Sequence, residues 1–424
     1  VQTTDWCSIE TRLVNRVGYP DVDKAFNSTQ FSSDREELYD LLIKNGTVVD
    51  PSLNIHERMD VAVRSGRIED LAKTVSGNAH KTLDASGLIV TPGLIDMHAH
   101  VAHNVIGLSV DPEETCLRKG STTVVDAGST GELNFTPFRE YVVRKSAARV
   151  LGFINIESLG MIEFGDFSPN NTDQKWPELL TALNELFAHM FVNVENTEKT
   201  IVENRSIVPG LKWAHHGLRF LEYARQVADK AGCIIMAENH YMPVALKYLK
   251  KGDIITHAYH YVENRITRRR DGLTEDGSTI HPEFLEAVRR GVLLDVGHGK
   301  ASFSWRVAEL ALKDGLEPHM ISTDLWKGNV NGPVFDLPTT MVKFLCLGLS
   351  LERVVEATTS KPASALGRLG ELGTLKPGAR ADIAAFRLVD GDFPLVDSQG
   401  DMRKGISMLV PIHVVKEGEI LENQ

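Results

Sequence analysis

The 424-residue chain is poor in cysteine: its four, Cys7, Cys116, Cys233 and Cys346, stand far apart and form no Cys-x-x-Cys. That excludes a disulfide framework and a zinc ribbon and leaves buried thiols as the simple reading. No apolar run approaches the ~18 residues that span a bilayer. Positive charge is in deficit. The 46 Lys and Arg face 57 Asp and Glu, for a net charge of −11, which argues against nucleic acid or an anionic membrane surface as the main partner. Residues 1–38 lack the apolar segment of a signal peptide, and the expected location is cytoplasmic, with secretion as the alternative. What remains, 42% hydrophobic and 24% charged residues, is the make-up of a globular protein. Its length suits one large barrel with an accessory domain.

Three textures follow one another along the chain. Residues 1–38 are polar and irregular and read as an extension. From Leu42, "LLIKNGTVVDP", "MDVAVRSGRIEDLA" and "KTLDASGLIVTPG" are short β-branched runs cut by Asn-Gly and Ser-Gly turns, the chemistry of antiparallel strands. The same texture returns in "GTLKPGARADIAAFRL" and "MLVPIHVVKEGEIL". A small β-sandwich built from both ends, 39–90 with 371–424, is expected. Over the expected barrel, 91–370, and the residues that lead into it, eight apolar runs ("LIVTPGLIDMHAH", "STTVVDAG", "RVLGFINIES", "SIVPGLKWA", "CIIMAE", "DIITHA", "GVLLDVGHG" and "HMISTDL") alternate with amphipathic segments such as "LRFLEYARQVADKA" and "HPEFLEAVRRG". Strand then helix, repeated, predicts an α/β fold of the (β/α)8 TIM barrel type. The long connection from Glu157 to Ser206 reads as one helix plus an excursion over the barrel mouth.

In such a barrel the chemistry sits at the C-terminal ends of the strands. The first run ends in His98 and His100, whose i, i+2 spacing puts both on one face. The fourth carries Lys212. The fifth ends in Glu238, with His240 two further on; the sixth ends in His257, the seventh in His298 and the eighth in Asp324. Each alone has an ordinary structural reading: a hydrogen-bonded core histidine, an ion-paired lysine, a helix-capping aspartate. Buried together and unpaired they would be strongly destabilising. A divalent cation removes that cost, because imidazole nitrogen and carboxylate oxygen are the ligands zinc takes. An ammonium beside a cation would be repelled, so Lys212 is either neutral or converted by CO2 into a carbamate, an anionic ligand able to bridge two metals.

"GLIDMHAH", the lysine of the fourth run, "GDIITHAYH", "ISTDL" and "GTLKPGARADIAAF" together resemble the amidohydrolase superfamily of metal-dependent hydrolases, over roughly Leu42 to Leu421. "STTVVDAGSTG", "DVGHGKASFSW" and the segment from Gly332 to Gly367 resemble its deacetylase-like and dihydroorotase-like branch. The resemblance implies one or two zinc ions. His98, His100 and Asp324 would hold the more buried metal, a CO2-derived carbamate on Lys212 would bridge, and His257 would hold the second. The family's usual histidine after the fifth strand is replaced by Glu238, so either Glu238 or His240 is the ligand there. Trp326 stands where this branch often has histidine, which implies a more apolar pocket wall.

The same resemblance implies a mechanism in which Asp324 accepts the proton of a metal-activated water and returns it to the leaving group. His298 either binds substrate or serves as a loop hydrogen-bonder, and Arg219, Lys300 and Lys327 are further cations near strand ends. The expected function is hydrolysis of an amide or ester bond in an N-acyl or O-acyl α-substituted carboxylate. The expected partner is a small-molecule substrate, with no nucleic acid and no membrane, and the expected assembly is a homo-oligomer. A cyclic amide hydrolase of dihydroorotase or hydantoinase type is the alternative. A non-catalytic scaffold is a third reading, against which the intact ligand set speaks.

Overall fold

The structure, a computed structural model, describes residues 38–162, 189–214, 217–239, 241–260, 273–274 and 279–421. The extension read over 1–38 lies outside the described residues except for Leu38. So do His240 and most of the excursion expected after Glu157, of which the helix Val194–Glu203 is described. Among the described residues, no helix is long and apolar enough to cross a membrane.

The two β-rich ends join one sheet. β1 (Tyr39–Asp50), β2 (Ile55–Arg64), β3 (Arg67–Ala72), β4 (Ala79–Asp84) and β5 (Ile89–Pro92) come from before the barrel. Their edge at β5 is extended by three strands from beyond it, β13 (Ile383–Val396), β14 (Met402–Lys416) and β15 (Glu419–Ile420). Ser65 and Gly66, both with positive φ, make the expected turn between β2 and β3. Asn45-Gly46 does not. It is a bulge inside β1, where the register shifts between Ile43 and Gly46, and a Cβ on Gly46 would meet Val90 of β5. A sequence cannot tell the two apart, since both need a residue tolerant of positive φ or close backbone approach. The sheet closes over its own apolar core, with Ile43, Val61, Val90, Ile383 and Val415 in one buried cluster.

The barrel wall is parallel and runs β6 (Ile95–Ala99), β7 (Thr123–Ala127), β8 (Arg149–Asn155), β9 (Gly210–Trp213), β10 (Ile234–Glu238), β11 (Ile254–Thr256) and β12 (Leu293–Leu294), each paired to the next. Helices Leu218–Ala231 and Pro282–Arg289 occupy the amphipathic segments expected of them. Two expectations are corrected. "LIVTPGLIDMHAH" is two strands: Ile89–Pro92 belongs to the outer sheet and only Ile95–Ala99 to the barrel. The break falls at Gly93, where a Cβ would collide with Thr122. The eighth run forms no ladder. It closes the barrel through isolated bridges, Asp295 with Met320 and Ala99 with Leu325. Backbone bonds such as Val296 N to Met320 O (3.0 Å) and His100 N to Leu325 O (2.8 Å) are supplemented by side chains, since Thr323 N donates to Asp96 Oδ1 (3.1 Å) and Gly297 N to Ser322 Oγ (2.9 Å). Asp324 itself has φ 49°, which ends extended backbone.

Inside the wall, Ile95, Met97, Val125, Phe153, Met236, Ile254 and Met320 form an apolar plug. Alternation along β10 then turns Glu238 inward above Met236. On β6 the same alternation would turn His98 outward above Met97. A register shift in the β6–β7 pairing between Asp96 and Ala99 reverses the face, and both histidines point in.

Candidate metal centre

Six side chains from five strand ends converge above this plug. All six residues are buried, with His98 and Lys212 at 0% exposure. His98 Nε2 lies 3.3 Å and His100 Nε2 3.1 Å from Asp324 Oδ1. These three offer ligand atoms within 4.8 Å of one another, a group that could hold a metal ion. Lys212 Nζ is 3.4 Å from His98 Nε2 and 3.5 Å from Glu238 Oε1. Glu238 Oε1 is in turn 3.8 Å from His257 Nε2. Lys212 therefore sits between a His98–His100–Asp324 group and a Glu238–His257 pair.

The outer nitrogens of the three rings fix which inner ones are free. Thr256 Oγ1 donates to Asp295 Oδ2 (2.7 Å), so it accepts from His98 Nδ1–H (2.7 Å). Ser129 Oγ donates to Asp126 Oδ2 (2.8 Å) and accepts from His100 Nδ1–H (2.8 Å). His257 Nδ1–H donates to Gly297 O (2.7 Å). Each ring thus turns an Nε2 lone pair inward. Two of those lone pairs face a carboxylate oxygen, and such a set is stable only with a proton or a cation between the acceptors. Burial pushes the His257 ring down to about 4, so it is neutral and able to act as a ligand. Burial and the Lys212 charge press His98 down too, but the carboxylates of Asp324 and Asp295 outweigh them and raise it. Burial would raise Asp324, yet His98, His100 and His257 overturn this and hold it far below the usual carboxylate range.

Two further features fit a built cavity rather than an accident of packing. His257 and Asp324 both hold positive φ (55° and 49°), uncommon for residues other than glycine and concentrated at functional sites. Glycines wall the cluster where no Cβ would fit. On Gly297 it would lie 2.8 Å from His257 Nδ1 and 3.0 Å from His98 Nδ1, on Gly299 it would strike Asp324 Oδ2, and on Gly128 it would strike Lys212.

The remaining candidates lie elsewhere. His298 is fully buried, with Nδ1 donating to Gly299 O (2.9 Å) and Nε2 2.6 Å from Lys343 Nζ, so both ring nitrogens are occupied and neither is left for a substrate. Trp326 is half-buried against the core, its backbone N–H donating to Asn329 Oδ1 (2.9 Å). Lys327 Nζ donates to Gly107 O (2.5 Å), and Arg219 and Lys300 are exposed. Sequence reading passed over Ser129, Asp126, Thr256 and Asp295. The available signal was an aspartate closing an apolar run in "TVVDAGS" and "VLLDVG".

Residues 212–421 match the Amidohydrolase family. A deacetylase of Brucella anthropi is 33% identical over 369 residues, which cover 84% of this chain and 86% of the relative. Among solved structures, an adenine deaminase superposes with a TM-score of 0.78 at 30% identity, covering 91% of this chain and 100% of that one. A dihydroorotase superposes with a TM-score of 0.76 at 29% identity, covering 90% and 98%.

Proposed function

The chain belongs to the amidohydrolase family, hydrolases acting on carbon–nitrogen bonds, and from that premise we propose that it removes an acyl group, held as amide or ester, from an α-substituted carboxylate. The observation that carries the reading is the convergence of His98, His100, Lys212, Glu238, His257 and Asp324 on one buried point. The acyl clause follows the likeness to a deacetylase. The dihydroorotase likeness keeps a cyclic amide substrate as the second reading. A panel of N-acyl amino acids, acyloxy acids and cyclic ureides separates the two.

In this reading His98, His100 and Asp324 would hold one zinc ion, Glu238 and His257 would hold a second, and a CO2-derived carbamate on Lys212 would be an anionic ligand shared by both. A divalent ion so held acidifies water and polarises a carbonyl. The protein supplies the rest. Asp324 directs Oδ1 at the imidazoles and leaves Oδ2 beside Gly299, placed to accept a proton from the attacking water and deliver it to the leaving amine or alkoxide. The Thr256–Asp295 and Ser129–Asp126 relays hold His98 and His100 in the tautomer that keeps Nε2 bare, as outer partners of metal-binding histidines do.

Metal analysis of protein purified without chelator should find at least about one divalent ion per chain, the minimum for metal-assisted hydrolysis. Full activity in metal-free protein would sink the reading. Glu238 gives a second check. Its carboxylate touches both Lys212 and His257, so Glu238→Ala should release part of the metal and lower turnover by about 10–100-fold or more, while His240→Ala should be mild. The reverse ranking would make His240 the ligand.

A further inference from the structure

Lys343, on the helix Leu337–Cys346, is, with Lys212, one of two fully buried lysines among the described residues, at 1% exposure. A buried amine is tolerated only when its donors are matched, and here they are. Nζ donates to Pro333 O (2.9 Å) and Val396 O (2.7 Å), and its third partner is His298 Nε2 at 2.6 Å. Because His298 Nδ1 meets a carbonyl oxygen, which only accepts, Nδ1 carries the ring proton and Nε2 receives the lysine's. The ring is stacked on Phe303, centroids 4.6 Å apart.

The loop that contains His298, residues 297–305, is also fastened by the turn 397–401 between β13 and β14. Asp397 Oδ2 accepts from Trp305 N (3.0 Å), Ser398 N donates to Phe303 O (3.0 Å), Ser398 Oγ donates to Gly299 O (3.2 Å), and Trp305 Nε1 donates to Asp401 O (3.1 Å). The opposite side of the loop forms a wall of the site. Gly297 O accepts from His257 Nδ1–H (2.7 Å), Gly299 N donates to Thr323 O (2.9 Å), and Gly299 lies where a Cβ would strike Asp324 Oδ2.

We propose that Lys343 is a positioning residue: with the 397–401 turn it clamps the 297–305 loop against His257 and Asp324, so that the C-terminal ribbon sets the geometry of the metal cluster. Its effect on cation binding rests on the metal reading above; its hold on the loop does not. His298 is then a strut in the clamp.

The test is Lys343→Met, which keeps the length of the side chain and removes its donors. In metal-free protein, hydrogen exchange over 297–305 should quicken by about tenfold or more, with the other barrel segments unchanged. Cobalt binding, followed by its visible absorption, should weaken by about 10–100-fold. Turnover should fall in proportion with little change in KM. Ser398→Ala should move all three the same way by less. Lys404→Ala, which removes an exposed ion pair to Asp392 on the same ribbon (2.8 Å), should move none. Unchanged exchange, cobalt spectrum and turnover in folded Lys343→Met would overturn the proposal, as would an equal response to Lys404→Ala. If Lys343→Met does not fold, Ser398→Ala decides by the same readouts. Wild-type protein that binds no cobalt would overturn the metal reading, and exchange over 297–305 would still decide the clamp.

Discussion

Asp324→Asn is expected to lower kcat by ~10²–10⁴-fold, the usual worth of general acid–base help, while the protein keeps most of its metal. The backbone of residue 324 is fixed from both sides: its N–H donates to His98 O (2.6 Å), and its carbonyl accepts from Asn329 Nδ2 (2.7 Å). Asn therefore takes up the same place, with one oxygen still able to face the imidazoles. What it loses is the capacity to accept a proton. An interaction made only in the transition state should leave KM nearly unchanged as kcat falls. Steady-state kinetics and metal analysis on one preparation check this. Near-normal kcat with full metal would move the proton transfer to another group, and Glu238, the other carboxylate of the cluster, would be the first to examine.

Gly297→Ala should remove cation binding altogether, although residue 297 contributes no side chain. Its φ of 45° is costly for alanine, and the added methyl would meet Thr256 Oγ1, His257 Nδ1 and His98 Nδ1 at once. Nothing there is the far end of a flexible chain. Thr256 is held by Asp295 and His98 by Thr256, so relief must come from turning rings or moving the loop, and either breaks the Nδ1 bonds that aim Nε2. The stability loss should be about 1–3 kcal/mol, as for other overpacked cores. Loss of metal and activity should be near complete. Thermal melts and cobalt titration separate the two effects; a variant that binds cobalt as the wild type does would show that the ring orientations are not set by this contact.

Only part of the site is written in the order of the residues. His98 and His100 were legible because two imidazoles on one strand leave a spacing, and Asp324 because it closes an apolar run. The spacing alone does not show which face they take. Met97 inside the barrel requires the register shift before His98 to turn both histidines inward, and a bulge leaves no mark in residue order. The relays to Asp295 and Asp126 were not legible, since each joins side chains from different strands. The eighth strand was legible as an apolar run, but the side-chain bonds that reinforce its seam were not, because Asp96 and Thr323, which make one of them, lie 227 residues apart. His298 shows the limit most plainly. Its neighbours in the sequence suit a substrate-binding loop, and its partner is a lysine 45 residues away.

The outer sheet has a consequence for how the protein is made. β5 pairs on one side with β1, which precedes it, and on the other with β13, which follows the whole barrel. During synthesis the first five strands leave the ribosome with the β5 edge bare, and it stays bare until the barrel has been translated. Unpaired edges of this kind invite pairing with other chains. The vulnerable species is thus a nascent chain that stops short of Ile383. Expression would be limited by the time spent in that state and helped by holding chaperones, even though the finished fold leaves no trace of the exposed edge.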